Sequence, residues 1–178
     1  MPSISTFLRG ALAAAALVLT PNAASAETFA AGDIVVEAPW TRATPGGARV
    51  AGGYMRISNN GAEPDRLLGG TTTVAPRFEV HSMEMVDGVA RMAEVAGGLV
   101  IPPGETVELA PGGYHIMMMG LTAPVTEASE VAGTLVFERA GEIAVTYAVA
   151  PIGSREAPGG GHDHHHGHGQ GHGHGHNH

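Results

Sequence analysis

A chain of 178 residues with 17 acidic residues against nine basic ones, all arginine, carries a formal charge of −8 and has room for one domain plus terminal extensions. That balance argues against nucleic acid and anionic membrane surfaces as partners. The absence of cysteine excludes disulfides, thiolate metal sites, a lipid-attachment site and a blue-copper electron-transfer centre.

Met1–Ala26 reads as a secretory signal peptide. Arg9 supplies the positive flank, Ala11–Leu19 the apolar segment and Ala24-Ser25-Ala26 the small-residue cleavage site. The apolar run is too short to span a bilayer. Cleavage is therefore expected to leave an exported, periplasmic chain beginning at Glu27, with no membrane insertion. Residues 27–157 are expected to fold as one domain. Runs rich in Val, Ile, Thr and Tyr predict strands at Asp33–Ala38, Val50–Ser58, Arg66–Thr73, Phe78–Met85, Val89–Val95, Thr106–Leu109, Tyr114–Met119, Gly133–Glu138 and Ile143–Val149. Turn chemistry separates them at Asn59-Asn60-Gly61, Asp87-Gly88, Pro102-Pro103-Gly104, Pro111-Gly112-Gly113 and Ala140-Gly141. No long apolar period of 3.6 residues follows the signal segment. Short strands at regular spacing predict an all-β, antiparallel sandwich or barrel. Trp40, Met55 and Met118 are expected to pack in its core.

Residues 158–178 are a different material. Gly159–His178 contains only Gly, His, Asp, Asn and Gln, so it cannot form a core and is expected to be disordered without metal. Nine of the 11 histidines lie here: His162, His164, His165, His166, His168, His172, His174, His176 and His178. They are interspersed with Gly, Asp and Asn, which favours a native tail over an affinity tag. Such imidazoles suit Cu(II), Ni(II) or Zn(II), and protons compete for them as pH falls through about 6.5.

The body has two histidines, and each opens the pattern His-x-Met-x-Met: His81-Ser-Met83-Glu-Met85 and His115-Ile-Met117-Met-Met119. Asp87-Gly88 is a strong two-residue hairpin signal. Placed in the turn, it pairs Val86 with Val89, Met85 with Ala90, Glu84 with Arg91, Met83 with Met92, and His81 with Glu94. Alternation then puts His81, Met83, Met85, Ala90, Met92 and Glu94 on one face, with Glu84 and Arg91 opposed on the other. In an extended Tyr114–Gly120, His115, Met117 and Met119 point one way and Met118 the other. Brought together, two imidazoles and two or more thioethers make a soft site, expected at an exposed loop end, with Glu94 at its rim. Such a set suits exported Cu(I): a thioether is uncharged, does not titrate and cannot form a disulfide, while imidazole binds when neutral. Zinc prefers Cys, His and carboxylate.

The chain resembles the periplasmic copper chaperone family called PCuAC (also DUF461) over most of Gly32–Ala150. The resemblance rests on Ala38-Pro-Trp-Thr-Arg-Ala-Thr, Ala51-Gly-Gly-Tyr-Met, Glu79-Val-His-Ser-Met, Asp87-Gly-Val-Ala-Arg-Met and Pro111-Gly-Gly-Tyr-His-Ile-Met-Met-Met-Gly-Leu. It implies a cupredoxin-like antiparallel β-sandwich of Greek-key connectivity. It implies one Cu(I) held by His81, Met92, His115 and Met117; the strand registers leave Met83 and Met119 as alternates. It also implies delivery of copper to the CuA or CuB centre of cytochrome c oxidase, often alongside a Sco-type protein, by a monomer. With no Gly-x-Ser-x-Gly and no Walker loop, no enzyme is expected. Thioether-rich ligation biases a site toward Cu(I), which disfavours a copper oxidoreductase. The competing reading is storage or buffering of copper, zinc or nickel, with the tail as the main reservoir.

Overall fold

The computed structural model describes residues 27–159 apart from Ala128, so the signal-peptide and His-rich-tail expectations lie outside the described residues. Eleven strands follow one another among them: β1 (Thr28–Ala31), β2 (Ile34–Arg42), β3 (Val50–Asn59), β4 (Asp65–Thr72), β5 (Arg77–Val86), β6 (Val89–Glu94), β7 (Leu99–Ile101), β8 (Thr106–Leu109), β9 (His115–Met119), β10 (Val131–Phe137) and β11 (Gly141–Ala150). No helix among the described residues is long and apolar enough to cross a membrane.

All nine expected strands are present. The sequence reading omitted β1 and β7, which are four and three residues long and too short to show an alternating period. It also ended β2 at Ala38, before Pro39. The strand instead bulges there, with Ala38 at φ 47° and a register shift between Glu37 and Trp40, and then resumes pairing through Thr41. A bulge tolerates a residue that has no N–H to give to the ladder.

The strands form two layers in the order β6-β5-β9-β3-β2-β11-β10-β4-β7, with β8 added on β3 and β1 on β2. The crossing point is β11. Its first seven residues pair antiparallel with β10, and Ala148–Ala150 then pair with Trp40–Arg42 of β2. That last pairing is parallel, so the sandwich is mixed where antiparallel strands throughout were expected. The cause is length: β11 has ten residues against seven in β10, and its overhang reaches the other layer.

The core fills the space between the layers. Val36, Ile57, Ile116 and Met118 from one side meet Leu67, Leu135 and Val145 from the other, all close to fully buried. Two close approaches depend on glycine. An added Cβ at Gly70 would lie 3.0 Å from the Phe78 ring and closer still to the Thr134 carbonyl. One at Gly53 would lie 3.3 Å from the Tyr147 ring. Met55 and Met118 pack in this core as expected. Trp40 does not: it is buried, but in a separate cluster with Tyr54 and Ala150, its ring 4.5 Å from that of Tyr54.

Because side chains alternate along a strand, β9 divides its residues between two environments. Ile116 and Met118 are buried in the core, and His115, Met117 and Met119 face outward from it. The neighbour β5 pairs in a register that matches His81 with His115, Glu79 with Met117, and Arg77 with Met119. Residues opposed in an antiparallel pair share a face, so β5 and β9 bring both body histidines to one outward surface.

Candidate metal centre

The Asp87-Gly88 turn sets the third strand of this surface. Both turn residues have positive φ, 53° and 78°, as a tight hairpin of this kind demands. The register that follows is the expected one, from Val86–Val89 through Met83–Met92 to His81–Glu94. The outward face of β6-β5-β9 therefore carries two imidazoles and five thioethers: His81, His115, Met83, Met85, Met92, Met117 and Met119.

His115 is 6% exposed despite facing outward. Its Nδ1 lies 3.0 Å from the Gly113 carbonyl. A carbonyl can only accept, so Nδ1 carries the proton and donates it. The turn Pro111-Gly112-Gly113 thus fixes the ring and leaves Nε2 with its lone pair. That lone pair faces the Met92 sulfur at 3.2 Å. In the neutral ring neither atom has a proton to share, so two donors of electron density point at each other. His115 Nε2 and Met92 Sδ would be two of the donors holding one soft metal ion.

His81 is held differently. Its Nε2 lies 2.9 Å from Glu79 Oε2, both side chains largely buried. The carboxylate accepts from Nε2–H, so in the neutral ring Nδ1 is the nitrogen that keeps a lone pair. Nδ1 is buried and has no hydrogen-bond partner among the described residues. A buried polar atom without a partner costs about 1–3 kcal/mol and asks for a ligand. The two rings lie with centroids 6.0 Å apart, close enough to serve one ion. Among the described residues no three His, Asp or Glu side chains cluster as a metal site would require. The further donors this face offers beside the two imidazoles are thioether sulfurs.

The predicted donors are brought together with two differences. Met92 reaches across β5 to contact His115, not the His81 of its own hairpin. The site lies on the face of the sheet, on strand residues, where an exposed loop end was expected. Its exposed side is Met92, half open to solvent. Met117 is paired with Glu79 on one side and Gly52 on the other, next to both histidines on the same face. Met83 lies beside Met92, toward the hairpin tip, and Met119 lies at the opposite end of β9, against Arg77 and Val50. Glu94 is opposite His81 but exposed, as a rim residue is. Sequence reasoning missed Glu79. Its signal was there: two residues before His81 on a strand, it shares the histidine's face.

Residues 34–149 match the model of LpqE-like lipoproteins. The chain belongs to the LpqE-like family. A relative from Leifsonia xyli subsp. xyli, carrying the name lipoprotein Lxx21020, is 32% identical over 117 residues, which is 66% of this chain and 69% of that one. The sequence of this LpqE-like chain contains no cysteine. Among solved structures it is similar to the PCuAC domain of PmoF2. The metal-free domain superposes with a TM-score of 0.62 at 30% identity, covering 74% of this chain and all of that one. The copper-bound domain gives 0.59 at 30% identity, with 70% and 98% covered. The Cu(I) form of DR1885 from Deinococcus radiodurans gives 0.51 at 26% identity, with 72% and 84% covered. The fold of this LpqE-like protein is thus the cupredoxin-like sandwich of the PCuAC domains.

Proposed function

We propose that this LpqE-like protein is a periplasmic, non-enzymatic Cu(I) chaperone whose ion is held by His81, Met92, His115 and Met117. The observation that carries this reading is the buried Nδ1 of His81, without a hydrogen-bond partner among the described residues, beside a His115 Nε2 that already faces a thioether. Soft, neutral donors with no third carboxylate or imidazole favour Cu(I) over zinc. Similarity to domains solved with copper supports it. Delivery to the CuA or CuB centre of cytochrome c oxidase, alone or with a Sco-type protein, is the acceptor step that the family resemblance suggests.

The tail histidines serve in this reading as a collector of Cu(II), which the folded site receives as Cu(I) once an external one-electron reductant has supplied the electron. The route out of the domain supports it. Arg42 stacks over Tyr54 and Trp40 and donates from Nε to the Ser154 carbonyl, and Ala157 packs against the same two aromatic rings. Tyr54 sits one residue beyond the Gly53–Ile116 pair, on the strand next to His115. The chain therefore leaves on the metal-bearing face, and a short linker gives the tail an effective concentration in the millimolar range there.

Chelator competition on protein lacking Gly160–His178 tests the assignment. The chaperone reading predicts one tightly held Cu(I), lost in Met92→Leu with Met117→Leu. The nine tail histidines also favour a second reading, metal storage; in that case truncation removes nearly all binding. An unchanged Cu(I) affinity in the double variant refutes the site.

A further inference from the structure

The four-donor site leaves three of the five outward thioethers unused, and two of them form a row. Along the outward face of β5, His81 is followed by Met83 and then Met85, toward the hairpin tip. Met83 is matched with Met92, and Met85 with Ala90. Packing does not explain them. Met55 and Met118 belong to the main apolar cluster; Met83, Met85 and Met92 belong to neither cluster, and every residue of β6 is exposed. Met85 is 68% and Met92 50% open to solvent. An exposed edge strand has no use for large apolar side chains, since charge is what keeps such an edge from aggregating.

We propose a second, outer Cu(I) site on the hairpin, formed by the sulfurs of Met83, Met85 and Met92, through which the ion enters and leaves the inner site. The proposal rests on the copper-chaperone reading above and adds the path. Opposed Cβ atoms lie about 5 Å apart, and residues two apart on a strand about 6.5–7 Å. Methionine has three rotatable bonds, enough for the three sulfurs to converge. A site of thioethers alone selects Cu(I), because harder ions prefer oxygen or nitrogen. Met92 is common to both sites: turned inward it faces His115, and turned outward it joins Met83 and Met85. Copper then moves by exchange of one ligand at a time, and no step leaves it without sulfur. Met119, at the other end of β9, lies off this path.

The test is a titration of the mature full-length chain, its methionine methyl groups labelled with carbon-13, with Ag(I) as a redox-inert substitute for Cu(I). The first equivalent is expected to shift the Met92 and Met117 methyl signals. Excess Ag(I) is expected to shift Met83 and Met85 and to move Met92 a second time, with Met55 and Met118 unmoved. The tail has no sulfur, so its binding does not appear in these signals. In Met83→Leu with Met85→Leu, the second Met92 shift is lost and the first persists. The outer site is overturned if Met83 and Met85 stay still in excess Ag(I), if they move together with the first equivalent, or if the second Met92 shift survives the double substitution. Silence of Met92 and Met117 throughout overturns the inner site as well.

Discussion

Glu79 decides which nitrogen of His81 stays bare, and a carboxylate behind a metal-binding imidazole typically accounts for 10–100-fold in affinity. Glu79→Leu is therefore expected to weaken Cu(I) binding about 10–100-fold in chelator competition. Glu79→Gln keeps an acceptor and should lose less; wild-type affinity in Glu79→Leu would refute the role. The residue also shows where sequence reading ran short. The hairpin register pointed to Glu94 as the acid nearest His81. The acid that binds it lies on the same strand, and alternation alone could have found it. Tyr147 makes a separate point. Burial pushes its phenol well above the ordinary 10, and its hydroxyl has no hydrogen-bond partner among the described residues. The folded state keeps the proton while the unfolded chain loses it near pH 10, so this contribution to stability is present below pH 10 and lost above it. Thermal melts of Tyr147→Phe should show an equal or higher Tm at neutral pH and a shallower loss of stability above about pH 10.

At the scale of elements, β9 sets two adjacent methionines to opposite tasks. Met118→Ala is expected to cost about 2–5 kcal/mol in denaturant unfolding and leave copper binding intact in the folded fraction. Met117→Leu should cost under about 1.5 kcal/mol, yet weaken Cu(I) binding. The reverse pattern would show that the two faces of β9 had been exchanged. This alternation and the hairpin register were legible in the sequence because both are local: a two-residue turn and a period of two fix them. What was not legible is non-local. Which strand flanks β5 determines that Met92 meets His115, and no pattern within β6 encodes that choice. The parallel β2–β11 pairing is hidden for the same reason, since it arises from the overhang of β11 past a strand distant in the chain from β2.

At the scale of the molecule, two layers hold the strands of the candidate site at one end of the sheet order, and β6 is an edge strand among the described residues. That position suits hand-over. The core lies on the far side of β5 and β9, so ligand exchange at Met92 disturbs no buried packing. The acidic excess of the chain favours cations near its surface. The tail offers only nitrogen and oxygen donors, and every sulfur of the chain except that of Met1 lies in the folded domain, along with the two body imidazoles. X-ray absorption at the copper edge, on the mature full-length chain with one equivalent of Cu(I), tests the central claim most directly. Two nitrogen and two sulfur neighbours are predicted, with the sulfur count falling to one in Met92→Leu and in Met117→Leu. Nitrogen and oxygen neighbours alone, or a sulfur count unchanged in both variants, would contradict it.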